Sequence, residues 1–482
     1  MRWRVMENKK QTERNSILYK KVCDIQPEKT REYIEMDFSQ IYSELFSDEL
    51  VYNVTAKQWF YYDGIRWRED VGGVQAAEKA KEMYRVLKLY GSRLDDEKQG
   101  EAFLKYIFKY GNYNKRETLV KDARSLMART QEDFDCKHNL FNCLNCTLDL
   151  DTMESHEHRA SDMLSKVSGC NYNPAADGTK WSKFIDEVMQ EDKEKSRYLQ
   201  RICGYFLTAQ TTLEAAFMLY GATTRNGKST FAETFRNMMG DYAAAIPPET
   251  LAMSKNRNSD GASPQIARLA GVRFLNISEP PKRMLLDVAL FKSLTGGETI
   301  SARKLYQEPF EYLPQFKMCI NCNSLPVVTD DTLFQSERVR IITFDRHFEP
   351  QEQNKHLKQE LQAAEVLSSV LNWALDGLRE FKKNGEQPPK CVLASTDTYK
   401  LQSDKIRRFF DDCMEQAAGT NTSGADAHRA YCGWCNDNGY AAEGKSVFFS
   451  SLRDRGLMQK RGTIAGKTVS NVIIGYAILD DV

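Results

Sequence analysis

Residues 217–230 read FMLYGATTRNGKST: four apolar or aromatic residues, a loop bearing two glycines, then Lys228, Ser229 and Thr230. The pattern predicts a buried strand, a loop whose amides face an anion, and a helix opening at Lys228. In a phosphate-binding P-loop of this kind the lysine reaches the β- and γ-phosphates and the serine hydroxyl holds Mg²⁺. Gly221, Thr224, Arg225, Asn226, Gly227, Lys228, Ser229 and Thr230 are therefore the candidate contacts, with ATP and Mg²⁺ as the implied cofactors. Phe231, Phe235, Met238 and Met239 follow at helical spacing, and Gly240 is placed to stop the helix. One detail departs from the usual pattern. Five residues rather than four separate Gly221 from Gly227, so Ala222 occupies the slot of the first glycine.

Three later strands carry the residues such a site needs. GVRFLNISEP (271–280) predicts a strand ending at Glu279, an acid placed to activate water. Ser278 stands where many such strands carry a second acid, which leaves Ser229 and Glu279 as the candidate metal ligands. QFKMCINCN (315–323) ends at Asn323, placed to orient the water or sense the γ-phosphate. ERVRIITF (337–344) offers Arg338 and Arg340, either of which could complete a neighbouring chain's site. The residues do not choose between them.

Composition sets wider limits. The chain has 482 residues, 41% hydrophobic and 28% charged, which is ordinary for a water-exposed protein of several domains. Lys plus Arg and Asp plus Glu both number 67. Any nucleic acid would have to meet positive charge concentrated in a groove or pore. No apolar run approaches the ~18 residues that span a membrane. The opening MRWRVMENKK lacks the apolar centre of a signal peptide, so a cytoplasmic location, in a bacterial host cell, is expected. The twelve cysteines are expected as reduced thiols. Two groups were weighed as zinc sites, Cys136/His138/Cys143/Cys146 and His428/Cys432/Cys435, and ordinary packing is favoured at both. Asp149-Leu150-Asp151 is read as half of an alternating strand rather than a metal-binding pair, so no primase domain is expected.

Punctuation divides the chain into a charged lead-in (1–55), an N-terminal region (56–205), a core (206–350), a helical subdomain (351–388) and a tail (389–482). Residues 1–40 read as irregular. WFYYDGIRW carries Asp63-Gly64 between aromatic runs, a hairpin signal. Pro388-Pro389 marks the last boundary. The tail reads as three helices and a two-stranded ribbon, the order of a winged helix, with Arg453, Arg455, Lys460 and Arg461 on its third helix and wing.

GVRFLNISE, TGGETISARKLY, FEYLPQFK, NSLP and RVRIITF, taken in this order, resemble the helicase half of the phage and plasmid primase-helicases, a superfamily-three group that includes a poxvirus relative. WFYYDGIRW and LDLDTMESHEHRASDMLSKVSGCNYNP resemble the region before that motor, and LNWALDGLREF through YCGWCNDNGY its tail. The resemblance implies an α/β fold: an AAA+-like P-loop NTPase core with a parallel sheet, an α-rich N-terminal region and a C-terminal winged-helix domain. It implies Walker A roles for Lys228 and Ser229, a Walker B role for Glu279 and a sensor role for Asn323. Arg338 corresponds to the family's arginine before the final core strand. Lys292 through Lys304 correspond to a hairpin that grips single-stranded DNA, with Lys292, Arg303 and Lys304 as candidate DNA contacts. The expected function is an ATP-dependent replicative DNA helicase of a phage or mobile element, a hexameric ring moving 3′ to 5′ on single-stranded or forked DNA. A separate primase or other replication protein would be its partner, and no membrane is involved. An origin-melting ATPase without processive unwinding is the alternative, and a small-molecule P-loop kinase a more distant one.

Overall fold

Alternation along one strand organises the centre of the molecule. In Ala216–Tyr220 (β1), Phe217 and Leu219 enter one hydrophobic cluster while Ala216 and Met218 enter another, so both faces are buried. Four more strands flank it: Ala243–Ile246 (β2), Phe274–Ser278 (β3), Lys317–Cys322 (β4) and Val339–Thr343 (β5). Their order is β5-β1-β4-β3-β2 and every pairing is parallel. A parallel sheet buried on both faces requires helices on both. The helix 193–207, α1 (Lys228–Met239) and α2 (Ala364–Asn384) cover one face through residues such as Ile202, Phe235 and Leu371. Phe291 and Leu294 of the helix 288–295, with Tyr399 of α3 (Lys390–Ser403), cover the other.

The computed structural model describes residues 2–30, 33–253, 264–303, 309–328, 332–438, 440 and 442–479. Among them no helix is long and apolar enough to cross a membrane.

Two helices meet backbone to backbone. A Cβ on Gly204 would stand 2.1 Å from the Leu378 nitrogen, and one on Gly377 2.0 Å from the Gln200 carbonyl oxygen. Neither partner is a flexible side chain that could yield. Gly377→Ala is therefore expected to cost about 3 kcal/mol, read as a lowered midpoint of urea unfolding.

The N-terminal region departs from its reading. Residues 2–25 form a helix, and Glu35–Phe46 form another. Leu18, Val22, Phe38 and Ile41 are buried with the helices 74–91, 97–107 and 113–126. The lead-in is thus a packed layer whose many charges hide a sparse apolar stripe. The boundary drawn at 55/56 falls inside a sheet, because Leu50–Asn53 pairs antiparallel with Gln58–Tyr62. The Asp63-Gly64 hairpin forms, with Tyr62 opposite Trp67. Asp63 Oδ1 accepts from the backbone N–H groups of Ile65 and Arg66, and Trp59 and Trp67 are buried. Buried Arg273 joins this region to the sheet, donating to the carbonyls of Leu207 and Leu140, each at 2.7 Å.

The cut at 389 also moves. Helix α3 lies on β5: the Ile341 N–H donates to the Thr396 hydroxyl at 3.2 Å, and the Tyr399 hydroxyl donates to the Pro326 carbonyl at 2.6 Å. The break falls at Asp404, which ends α3 and caps α4 (Lys405–Cys413) by accepting from the Arg407 N–H. The tail then runs through strand 414–423, α5 (Gly424–Asp437), α6 (Lys445–Asp454) and strands 458–464 and 467–478. Strand 414–423 (MEQAAGTNTS) escaped the reading because it holds few β-branched or aromatic residues. It is an edge strand, pairing only with 467–478.

Candidate functional site

All five core strands run the same way, so the segments leaving β1, β3 and β4 emerge at one edge of the sheet. Lys228 opens α1 there, and only 4% of it is exposed. Its Nζ donates to the Gly221 carbonyl at 3.1 Å and to Asn323 Oδ1 at 2.9 Å. Burial lowers the lysine pKa, while Cys322 and Glu279 pull it the other way. Three expected residues, Lys228, Glu279 and Asn323, thus converge from three strands.

The loop explains its own glycines. A Cβ on Gly221 would meet Asn226 Nδ2 at 2.3 Å and both Lys228 Nζ and the Phe344 carbonyl at 2.7 Å. Ala222 is exposed and its methyl meets no such limit, so the shifted glycine is the one the fold requires. Gly227 combines a left-handed φ of 85° with a Cβ position 2.4 Å from Val188. Asn226 is buried and closes the loop on itself, donating to the Thr223 carbonyl at 2.6 Å. Arg225 donates to Gln353 Oε1 at 2.7 Å, and His347 Nδ1 to the Thr224 carbonyl at 2.9 Å. Ser229 is exposed on the first turn of α1 and Thr230 is half-buried beside it.

Glu279 is exposed at the end of β3 and its N–H donates to the Asn321 carbonyl at 2.8 Å. Its φ is 57°, a left-handed conformation uncommon outside glycine. Non-glycine residues are held this way at a cost of about 1 kcal/mol or more, and such positions cluster at functional sites.

Support for the loop from helix 179–188 was missed. Trp181, Phe184, Ile185 and Val188 are buried, and Trp181 stacks on Phe231 of α1. Their i, i+3, i+4, i+7 spacing announced a helix but not its target.

The two arginines lie elsewhere. Arg338 stands at the start of β5, where its carbonyl accepts from Ala216 at the far end of β1. Five strand residues at ~3.3 Å each put it roughly 16 Å from the loop of its own chain. It contacts Glu214 at 2.6 Å, Thr295 Oγ1 at 3.0 Å and the Lys292 carbonyl at 3.3 Å. Arg340 is buried in a two-pronged pair with Glu386, at 2.7 and 3.1 Å, and Tyr198 donates to the same carboxylate. Its reading as a mobile catalytic arginine does not fit this environment.

The DNA candidates divide similarly. Strands 300–302 and 310–312 pair antiparallel, with Arg303 exposed beyond the first. Lys304 and the expected turn lie outside the described residues. Lys292 donates to Thr332 Oγ1. In the tail, Arg453 donates to Asn471 Oδ1 at 3.3 Å and Arg455 pairs with Asp404 at 2.5 Å. Lys460 and Arg461 are exposed on strand 458–464.

Neither cysteine group gathers. Among the described residues no three His, Cys, Asp or Glu side chains are placed to hold a metal ion. Asp149 and Asp151 serve structure: Asp149 Oδ1 accepts from the Asp151 N–H, and Asp151 pairs with Lys382 of α2 at 2.7 Å.

Residues 39–190 match the family described as D5 N terminal like, and residues 219–338 a family of unknown function, DUF5906. The curated relatives are viral. "Putative helicase L207/L206" of Acanthamoeba polyphaga mimivirus is 25% identical over 397 residues, covering 75% of this chain and 41% of that protein. The chain belongs to a primase-helicase-like family. A second member, "Putative helicase 022R" of Frog virus 3, is 25% identical over 276 residues, covering 54% of this chain and 28% of its own length. The chain thus spans about two fifths or less of the length of these relatives. Among solved structures, the apo C terminal region of NrS-1 is similar at a TM-score of 0.48 and 10% identity, covering 88% of this chain and 96% of that one.

Proposed function

We propose that the chain is the motor of an ATP-driven DNA helicase of viral or mobile-element origin, built on an AAA+-like P-loop core. The observation that carries this reading is the buried Lys228, held between the Gly221 carbonyl and Asn323 at the edge where Glu279 also emerges. The sheet order β5-β1-β4-β3-β2 supports it, as do relatives named as helicases. Lys228 would hold the β- and γ-phosphates, Glu279 would take the proton of the attacking water, and Asn323 would orient that water. The donor set suits Mg²⁺, which takes one or two protein oxygens and completes its shell with phosphate and water. Ser229 and Glu279 supply those oxygens, and the ion would neutralise charge on the transferring phosphate.

Arg338 cannot reach its own chain's loop, so it would serve the neighbour's in a ring, expected as a hexamer moving 3′ to 5′. The tail's order of helix, strand, two helices and two strands supports a winged helix, with Lys460 and Arg461 meeting duplex phosphates. The test is displacement of a labelled strand from forked DNA carrying either tail polarity. ATP hydrolysis with no displacement on any fork would favour an origin-melting ATPase, and hydrolysis needing a small phosphate acceptor a kinase.

Arg303 and Lys304 would form a positive collar in the ring, reconciling DNA binding with a net charge of zero. Replacing both with alanine is expected to abolish unwinding and DNA-stimulated ATPase while sparing basal ATPase. Single-strand affinity should become less salt-dependent by roughly one to two units of log–log slope. Salt titrations of binding by fluorescence anisotropy would check it.

A further inference from the structure

Beside the site lies a cavity of about 310 Å³ between the sheet edge and the tail. Tyr220, Arg283 and Asn323 line it from the sheet side, and Lys405, Arg408 and Tyr440 from the tail side. Its lining holds three cations and no carboxylate. Asn323 belongs to both places, because its Oδ1 receives the proton of Lys228 Nζ at 2.9 Å while the residue also lines the cavity. A group bound against Lys228 would therefore stand one side chain away from the tail's cations.

Each cation is placed by a different device. Arg283 is exposed, with a left-handed φ of 61° at the turn in which the Met284 N–H bonds to the Pro281 carbonyl. It has no hydrogen bond or ion pair to a described residue. Arg408 is fixed from the side: it donates to the Tyr440 hydroxyl at 2.6 Å and lies over the rings of Trp434 and Tyr440. Lys405 is buried and pairs with Glu443, outside the lining. A guanidinium held over aromatic rings keeps its charge and its remaining N–H donors, which suits it to a phosphate.

We infer that this cavity is a second phosphate-binding site, in which Arg283 and Arg408 contact the terminal phosphoryl group of a nucleotide bound at Lys228. It rests on the nucleotide reading above and adds to it a role for the tail, which would distinguish triphosphate from diphosphate. A diphosphate ends at Lys228. A triphosphate extends toward Asn323 and gains the two arginines. The corner at Asp404, where α3 ends on the sheet and α4 begins, would carry that difference into the tail.

Binding of fluorescent ATPγS and ADP to the full chain tests this, in wild type, Arg283→Ala and Arg408→Gln. Arg283→Ala touches no described partner, so its folding is not at stake, whereas Arg408→Gln also removes a packed cation and Arg408→Lys serves as its control. One lost charge-assisted contact should weaken ATPγS about tenfold and leave ADP within about twofold. Arg408→Lys should recover part of the loss. Equal losses for the two nucleotides, or none, would overturn the inference while leaving the site at Lys228 intact. Unchanged nucleotide selectivity with weakened binding of a single-stranded oligonucleotide would assign the cavity to strand phosphates and overturn it as well. Wild-type protein that bound neither nucleotide would remove the nucleotide reading itself, and this inference with it.

Discussion

Lys228→Ala protein is expected to lose nucleotide binding by ~10- to 100-fold and turnover by roughly a thousandfold. Lys228 is the cation held between the strand ends, and its burial means that no bulk water screens the phosphate it would meet. The substitution also leaves the Gly221 carbonyl and Asn323 Oδ1 without their donor. Lys228→Met keeps most of the side-chain volume, so comparing the two separates lost charge from a collapsed loop. Equilibrium binding and a coupled ATPase assay suffice. Full activity in both variants would end the assignment.

The two arginines of the last core strand are expected to fail in different ways. Arg340→Ala leaves the Glu386 carboxylate buried without its partner, a loss of about 3–5 kcal/mol that should appear in unfolding whether or not nucleotide is present. Arg338→Ala should fold normally and bind ATP, yet hydrolyse it poorly. Mixed with inactive Lys228→Ala, it should regain activity, because some interfaces then contain an intact cradle facing an intact arginine. Native mass spectrometry can establish that mixed assemblies form. Their failure to hydrolyse would exclude Arg338 from a neighbour's site, and a stable Arg340→Ala would mean that the Glu386 pair is not what holds β5 to the end of α2.

Much of the central sheet was legible because its strands are short apolar runs ending in chemically distinctive residues. Lys228, Glu279 and Asn323 could be nominated from sequence alone, since a loop after a buried parallel strand must emerge at a common edge. The roles of Arg338 and Arg340 could not be separated, because two residues apart on a strand says nothing about whether Glu386 waits on one side. The helix 2–25 was hidden by its charges, and strand 414–423 by weak β-formers whose pairing depends on a partner more than 50 residues later. Helix α3 was assigned to the wrong neighbour because Pro388-Pro389 signals a break in the helix and not a change of packing partner. Such contacts are tertiary, and local pattern carries no trace of them.

The left-handed backbone at Glu279 sets stability and turnover against each other at one residue. Glycine there would relax the backbone, and asparagine would tolerate the same φ more readily than glutamate does. Either change would raise the melting temperature while removing the acid that activates water. A lineage of this chain released from its enzymatic task would therefore drift toward glycine or asparagine at 279, becoming hardier as it became inert. Glutamate at this position is kept only under continued selection for turnover.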